Sequence, residues 1–117
     1  MSQTMDGHNN GGKTLEHWRS EIDQLDDVLL RLLNRRAEIA GEIAVIKVAS
    51  DLPALDAARE ARVLSRIATQ NTGPLGDQSV RAIFSSIIHE TRRLGTERMQ
   101  ELNVGKAQAS EPNVRSR

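Results

Sequence analysis

The sequence predicts an all-α fold with three helices per chain, one long, one short and one of medium length. Three observations carry that prediction. Apolar residues recur at alternating spacings of three and four across residues 15–46 and again along two later segments, which is the period of one helix face. Chain breakers fall between those segments, at Pro53 and in NTGPLGD at residues 71–77. Aromatic side chains are nearly absent, with Trp18, Phe84 and no tyrosine, which argues against a large β-sandwich and against stacking on nucleic-acid bases.

The long helix is predicted over residues 15–49. Its apolar seam runs 15, 18, 22, 25, 29 and 32, then 39, 43 and 46. Thr14 stands where an N-cap is needed, and Gly41 is the one soft spot before Pro53. At 1.5 Å per residue such a helix is about 50 Å long, whereas a compact monomer of this size is about 35 Å across. The helix therefore has to find packing partners outside its own chain. Asp56 is placed to cap the short helix, which runs to Gln70 with Val63, Leu64 and Ile67 inward. Gly73, Pro74 and Gly76 end it. Asp77 offers the next cap, and the third helix carries Val80, Ile83, Phe84, Ile87, Ile88, Thr91 and Leu94 on one stripe before fraying near residue 102.

A chain of 117 residues suits one domain with a modest core. Residues 1–13 and 103–117 are polar and without periodicity, and are expected to be flexible tails around a helical domain at 14–102. Sixteen basic side chains balance sixteen acidic ones, so no global field recruits nucleic acid or an anionic membrane. The chain has no cysteine, which excludes disulfides and thiolate metal ligands. No apolar run approaches the roughly 18 residues of a membrane span, and MSQTMDGHNNGGK lacks an apolar signal core. A cytoplasmic location is expected.

Continuing the seam beyond Leu32 by its own rule lands on Arg36, a charge where a plain helix would carry leucine. Lys47 lies 11 residues on, which at about 100° per residue returns it to within about 20° of the same face. Arg59 stands four residues before Val63 and eight before Ile67, and Glu60 holds the same relation to Leu64. Two readings are open. Lys and Arg stems can lie along apolar surface with their heads in water, and a polar seam residue can fix register or oligomeric state. Against that, three inward cations with few inward acids leave buried charge uncompensated, for which an anionic ligand is the natural partner. Arg92 and Arg93 read as a solvated helix face. His8, His17 and His89 share no ligand spacing, no serine or threonine has a nucleophile's surroundings, and the glycines form no phosphate loop. No metal and no cofactor are expected.

The stretches LEHWRSEIDQLD (15–26), LLNRR (32–36), Lys47, DAARE (56–60) and IFSSIIHETR (83–92) together resemble the all-helical, monofunctional bacterial type of chorismate mutase. The resemblance implies an intertwined homodimer of three-helix chains. It also implies an isomerase that converts chorismate to prephenate by Claisen rearrangement, in the branch of the shikimate pathway leading to phenylalanine and tyrosine. By resemblance, Arg19 and Arg36 hold substrate carboxylates and Arg59 shares in that binding. Lys47 donates to a carboxylate and to the ether oxygen, Glu60 takes the ring hydroxyl, the backbone near Asp56 assists, and Thr91 matches a serine-like site position. Arg19 lies 17 residues before Arg36, roughly 25 Å along one helix, so the resemblance implies that Arg19 reaches the site from the partner chain. One position departs from the family pattern: Gly95 stands where a Gln or Glu would hydrogen-bond the breaking ether. Two alternatives stay open, an isochorismate-pyruvate lyase with a similar cationic pocket, and a helical dimer weak in catalysis that serves as a structural or regulatory partner.

Overall fold

The computed structural model describes residues 12–110, and every regular element among them is helical: α1 (Leu15–Ala49), α2 (Ala57–Gln70) and α3 (Asp77–Ser110). Among the described residues no helix is long and apolar enough to cross a membrane. The chain divides into two compact units, the first ending at Asn34 and the second beginning at Arg35.

In the first unit α1 opens as predicted. The Thr14 hydroxyl accepts from the His17 N–H at 3.1 Å, which satisfies one of the helix's orphan donors, and the Thr14 carbonyl accepts the first intrahelical bond from the Trp18 N–H at 3.2 Å. The seam residues Leu15, Trp18, Ile22, Leu25, Leu29 and Leu32 are all exposed, Leu25 and Leu32 by 60% each. A stripe of that composition, flanked by the likewise exposed Val28, Leu30 and Leu33, is the pattern of a surface made to be covered.

The second unit holds the rest of α1 with α2 and α3. Its buried apolar side chains are Ala44, Val48, Val63, Val80 and Ile88. The packed face of α1 follows Ala40, Ala44 and Val48, while Ile39, Ile43 and Ile46, predicted on the seam, are exposed. Small residues win that face because helices approach closest where side chains are short. A Cβ built on the buried Gly95 of α3 would stand 3.5 Å from the Ala40 carbonyl oxygen.

α1 ends in a Schellman motif. The Leu52 N–H reaches the Lys47 carbonyl at 2.8 Å and the Asp51 N–H reaches that of Val48 at 3.3 Å, with Asp51 in the left-handed region at φ 55°. Asp56 caps α2 as expected: its carboxylate accepts from the Arg59 N–H at 3.0 Å. Asn71 then closes the turn into α3, its side chain donating to the Leu75 carbonyl at 2.8 Å and accepting from the Gly73 N–H at 3.2 Å.

Three expectations for α3 need correction. Gly76, not Asp77, is the capping position, since its carbonyl accepts the Val80 N–H at 3.0 Å; Asp77 is already helical and pairs with Arg81 at 2.9 Å. The inward stripe is Val80, Phe84, Ile88, Thr91, Gly95 and Met99, and Ile83 and Leu94 are exposed. Finally, α3 does not fray near residue 102 but continues to Ser110, so the predicted tail at 103–117 is helical over 103–110. The segment NVGKAQAS contains one glycine and no proline, and a single interior glycine lowers helix stability by only about 1 kcal/mol relative to alanine. Residues 111–117 and the predicted tail over 1–11 lie outside the described residues.

Candidate functional site

A cavity of about 270 Å³ opens within the second unit, walled on one side by α1, on another by Ala54 and the start of α2, and on the third by α3. The cavity brings together Arg36, Lys47, Asp56, Arg59, Glu60 and Thr91, six of the seven residues that the sequence marks for a site. The seventh, Arg19, is exposed in the first unit, 3.7 Å from Glu16, and is not among the lining residues.

Each polar group is positioned by its element. Arg36 donates through Nη1 to the Thr91 hydroxyl. Thr91 is buried and donates its single hydroxyl hydrogen to the Ile87 carbonyl at 2.8 Å, so it fixes Arg36 and has no hydrogen left for another acceptor. Burial, then the neighbouring Arg59, push the Arg36 pKa down, and Glu60 partly opposes them. The guanidinium stays charged all the same, because its ordinary value lies so far above neutrality. Lys47 sits at the end of α1 where its ammonium donates to the Ala54 carbonyl at 2.7 Å, while its own carbonyl receives the Leu52 N–H. One residue thus ties the α1–α2 connection from both its side chain and its backbone. Asp56 is engaged by the helix it caps, and Arg59 is exposed at the cavity margin.

Sequence reasoning missed Arg92. With Arg93 it reads from the sequence as part of a solvated face, and for Arg93 that holds, since it pairs with Glu90 at 2.9 Å and Glu97 at 3.0 Å in the open. Arg92 instead lines the cavity and donates from Nε to Glu60 at 2.6 Å, with both side chains largely covered, 32% and 25% exposed. The signal was available: Arg92 stands four residues after Ile88, on the face that carries Phe84 and Ile88.

The cavity therefore offers four cations, Arg36, Lys47, Arg59 and Arg92, against two carboxylates, Asp56 and Glu60, each already committed to a donor. Apolar walls from Ile39, Ile43, Val63 and Ile88 surround that charge. Such a site is complementary to a small, partly apolar molecule with more than one negative charge.

Fold and cavity define an all-helical domain with a cationic pocket for a small organic anion. The sequence profile of chorismate mutase type II matches residues 18–96, and the chain belongs to that family. Among its relatives is a bifunctional chorismate mutase/prephenate dehydratase of Neisseria gonorrhoeae, 39% identical over 90 residues, which cover 77% of this chain and 23% of the relative. A second, from Stutzerimonas stutzeri, is 38% identical over 79 residues, 63% of this chain and 22% of the relative. A third, from Aquifex aeolicus, is 40% identical over 57 residues, 49% of this chain and 16% of the relative. The chain spans less than a quarter of the length of these curated relatives.

Proposed function

We propose that the protein is a chorismate mutase that rearranges chorismate to prephenate as a step toward phenylalanine and tyrosine. The observation that carries the reading is the set of four cations around one partly apolar cavity in a chain of this family. The reaction breaks an ether C–O bond and forms a C–C bond within one molecule, so it consumes neither a nucleophile nor an external proton. What a protein can contribute is restriction of a flexible dianion to its reactive chair and charge placed where the ether oxygen becomes electron-rich. Arg36 and Arg59 would hold the carboxylates, Lys47 would face the ether oxygen, and Glu60 would accept from the ring hydroxyl. Asp56 keeps the first turn of α2 in register beneath the ligand, and Thr91 holds the Arg36 fork in place.

The active unit in this reading is a homodimer. The exposed seam of α1 supports it, as does the remoteness in sequence of Arg19, which would enter the site from the other chain. A cytoplasmic location belongs to the same reading and agrees with a chain free of cysteine. Purified protein given chorismate should consume its absorbance and release prephenate, and Arg36→Ala should lower kcat/KM by more than about a hundredfold with helix content and dimer intact. Release of salicylate and pyruvate from isochorismate, with chorismate untouched, would assign the lyase instead. Turnover of neither by an intact dimer would leave the regulatory role.

A further inference from the structure

The third wall of the cavity poses a supply problem. Thr91 has spent its one hydroxyl hydrogen on Ile87 and accepts from Arg36, so it has no donor left for a ligand, and Gly95, one turn on, presents no side chain. Arg92 lies between them on the same stretch of α3, and its bond to Glu60 uses only Nε. Its two Nη groups, which carry four N–H, form no other hydrogen bond among the described residues. A guanidinium is a fork with five donors, suited to bind one carboxylate through its side edge and a second acceptor through its end.

From this geometry, and resting on the chorismate reading above, we infer that Arg92 is a substrate-binding residue: anchored through Nε to Glu60, it donates through Nη to an anionic oxygen of the ligand on the α3 side. The pair then has two consequences. Glu60 is oriented as an acceptor toward the cavity, and the four cations exceed the two carboxylates by two charges, the number a dicarboxylate ligand brings.

Positioning of Glu60 and gripping of the ligand separate in two substitutions. Arg92→Gln keeps a neutral N–H donor for Glu60 but removes the charge and the fork, whereas Arg92→Ala removes both. Both variants should raise the KM for chorismate by about tenfold to a hundredfold, the range for one lost charge-assisted hydrogen bond, with unchanged helix content by circular dichroism. Retention of wild-type kcat/KM within twofold by Arg92→Gln would show that Arg92 merely holds Glu60, and would overturn the inference. If Arg92→Ala does not fold, Arg92→Gln and Arg92→Lys decide alone, Lys being expected to restore part of the loss. Should the wild-type protein not turn over chorismate, the functional reading fails separately. Calorimetric binding of chorismate and of citrate then tests Arg92: at least about tenfold weaker binding in Arg92→Gln supports it, and equal affinity, or no binding by the wild type, rejects it.

Discussion

Arg36 shows how a charge survives in a half-buried place. Burial and Arg59 both lower its pKa, so folding favours its neutral form and the shift opposes stability at every pH below the lowered value. The opposition disappears only in strong alkali, above the ordinary arginine range. No limb of the pH–rate profile between about pH 6 and 9 should therefore belong to Arg36. Gly95 is the other informative residue. A Cβ there would meet the Ala40 carbonyl at 3.5 Å and the Ala40 Cβ at 3.9 Å, both ordinary contacts. Gly95→Ala should then raise unfolding free energy by up to about 1 kcal/mol through helix propensity alone, measured by urea titration; a loss would show that α1 and α3 pack closer than these distances allow. Gly95→Gln adds a donor to the same wall and should raise kcat for chorismate, and an unchanged rate would mean that Arg92 already does that work.

At the scale of elements, the ends were readable wherever a short polar side chain does the capping. Thr14 and Asp56 hold the positions expected of them, because an N-cap needs one acceptor at one offset and the sequence displays it. The phase of α3 was harder to read. Its inward face carries Thr91, Gly95 and Met99, which send little hydrophobic signal, while the exposed Ile83 and Leu94 send a strong one. The same weakness hid Arg92, since two adjacent arginines late in a helix look alike until one of them finds a carboxylate on another element. The C-terminal end of α1 falls at Ala49 as the sequence predicts, but its cap gave no cue, because Asp51 takes the left-handed position where glycine is usual. Asp51→Gly should stabilise the protein by about 0.5–1 kcal/mol, relieving a conformation that disfavours side chains by more than the added chain entropy opposes. Asp51→Val should destabilise it by over about 1 kcal/mol, both readable in thermal unfolding. On the outer face of α3, the Arg93 hydrogen bond holds the Glu90 carboxyl below its usual range. Its contribution is present at neutral pH and is lost as acid protonates Glu90, and full exposure to water keeps it small.

At the scale of the whole molecule, five buried apolar side chains stand against nineteen large apolar ones left exposed among the described residues. That proportion is poor for a chain meant to stand alone and ordinary for one whose core is completed by a second copy. The sequence already pointed there through the length of α1 and the unbroken seam from Leu15 to Leu32. A dimer that shares its sites also makes a sharper claim than association alone, for it assigns Arg19 and Arg36 of one site to different chains. Arg19→Ala and Arg36→Ala should each be inactive by itself. Mixed in equal amounts, unfolded and refolded together, half of the resulting dimers are heterodimers, and in each of these one site has lost both arginines while the other has kept both. Activity should return to about a quarter of the wild-type value, the fraction a two-fold dimer with random pairing allows. If Arg19 served the site of its own chain, every site in the mixture would lack one arginine and no activity would return. Leu25→Glu, placed in the middle of the seam, should abolish the recovery by separating the chains, and sedimentation would show monomers.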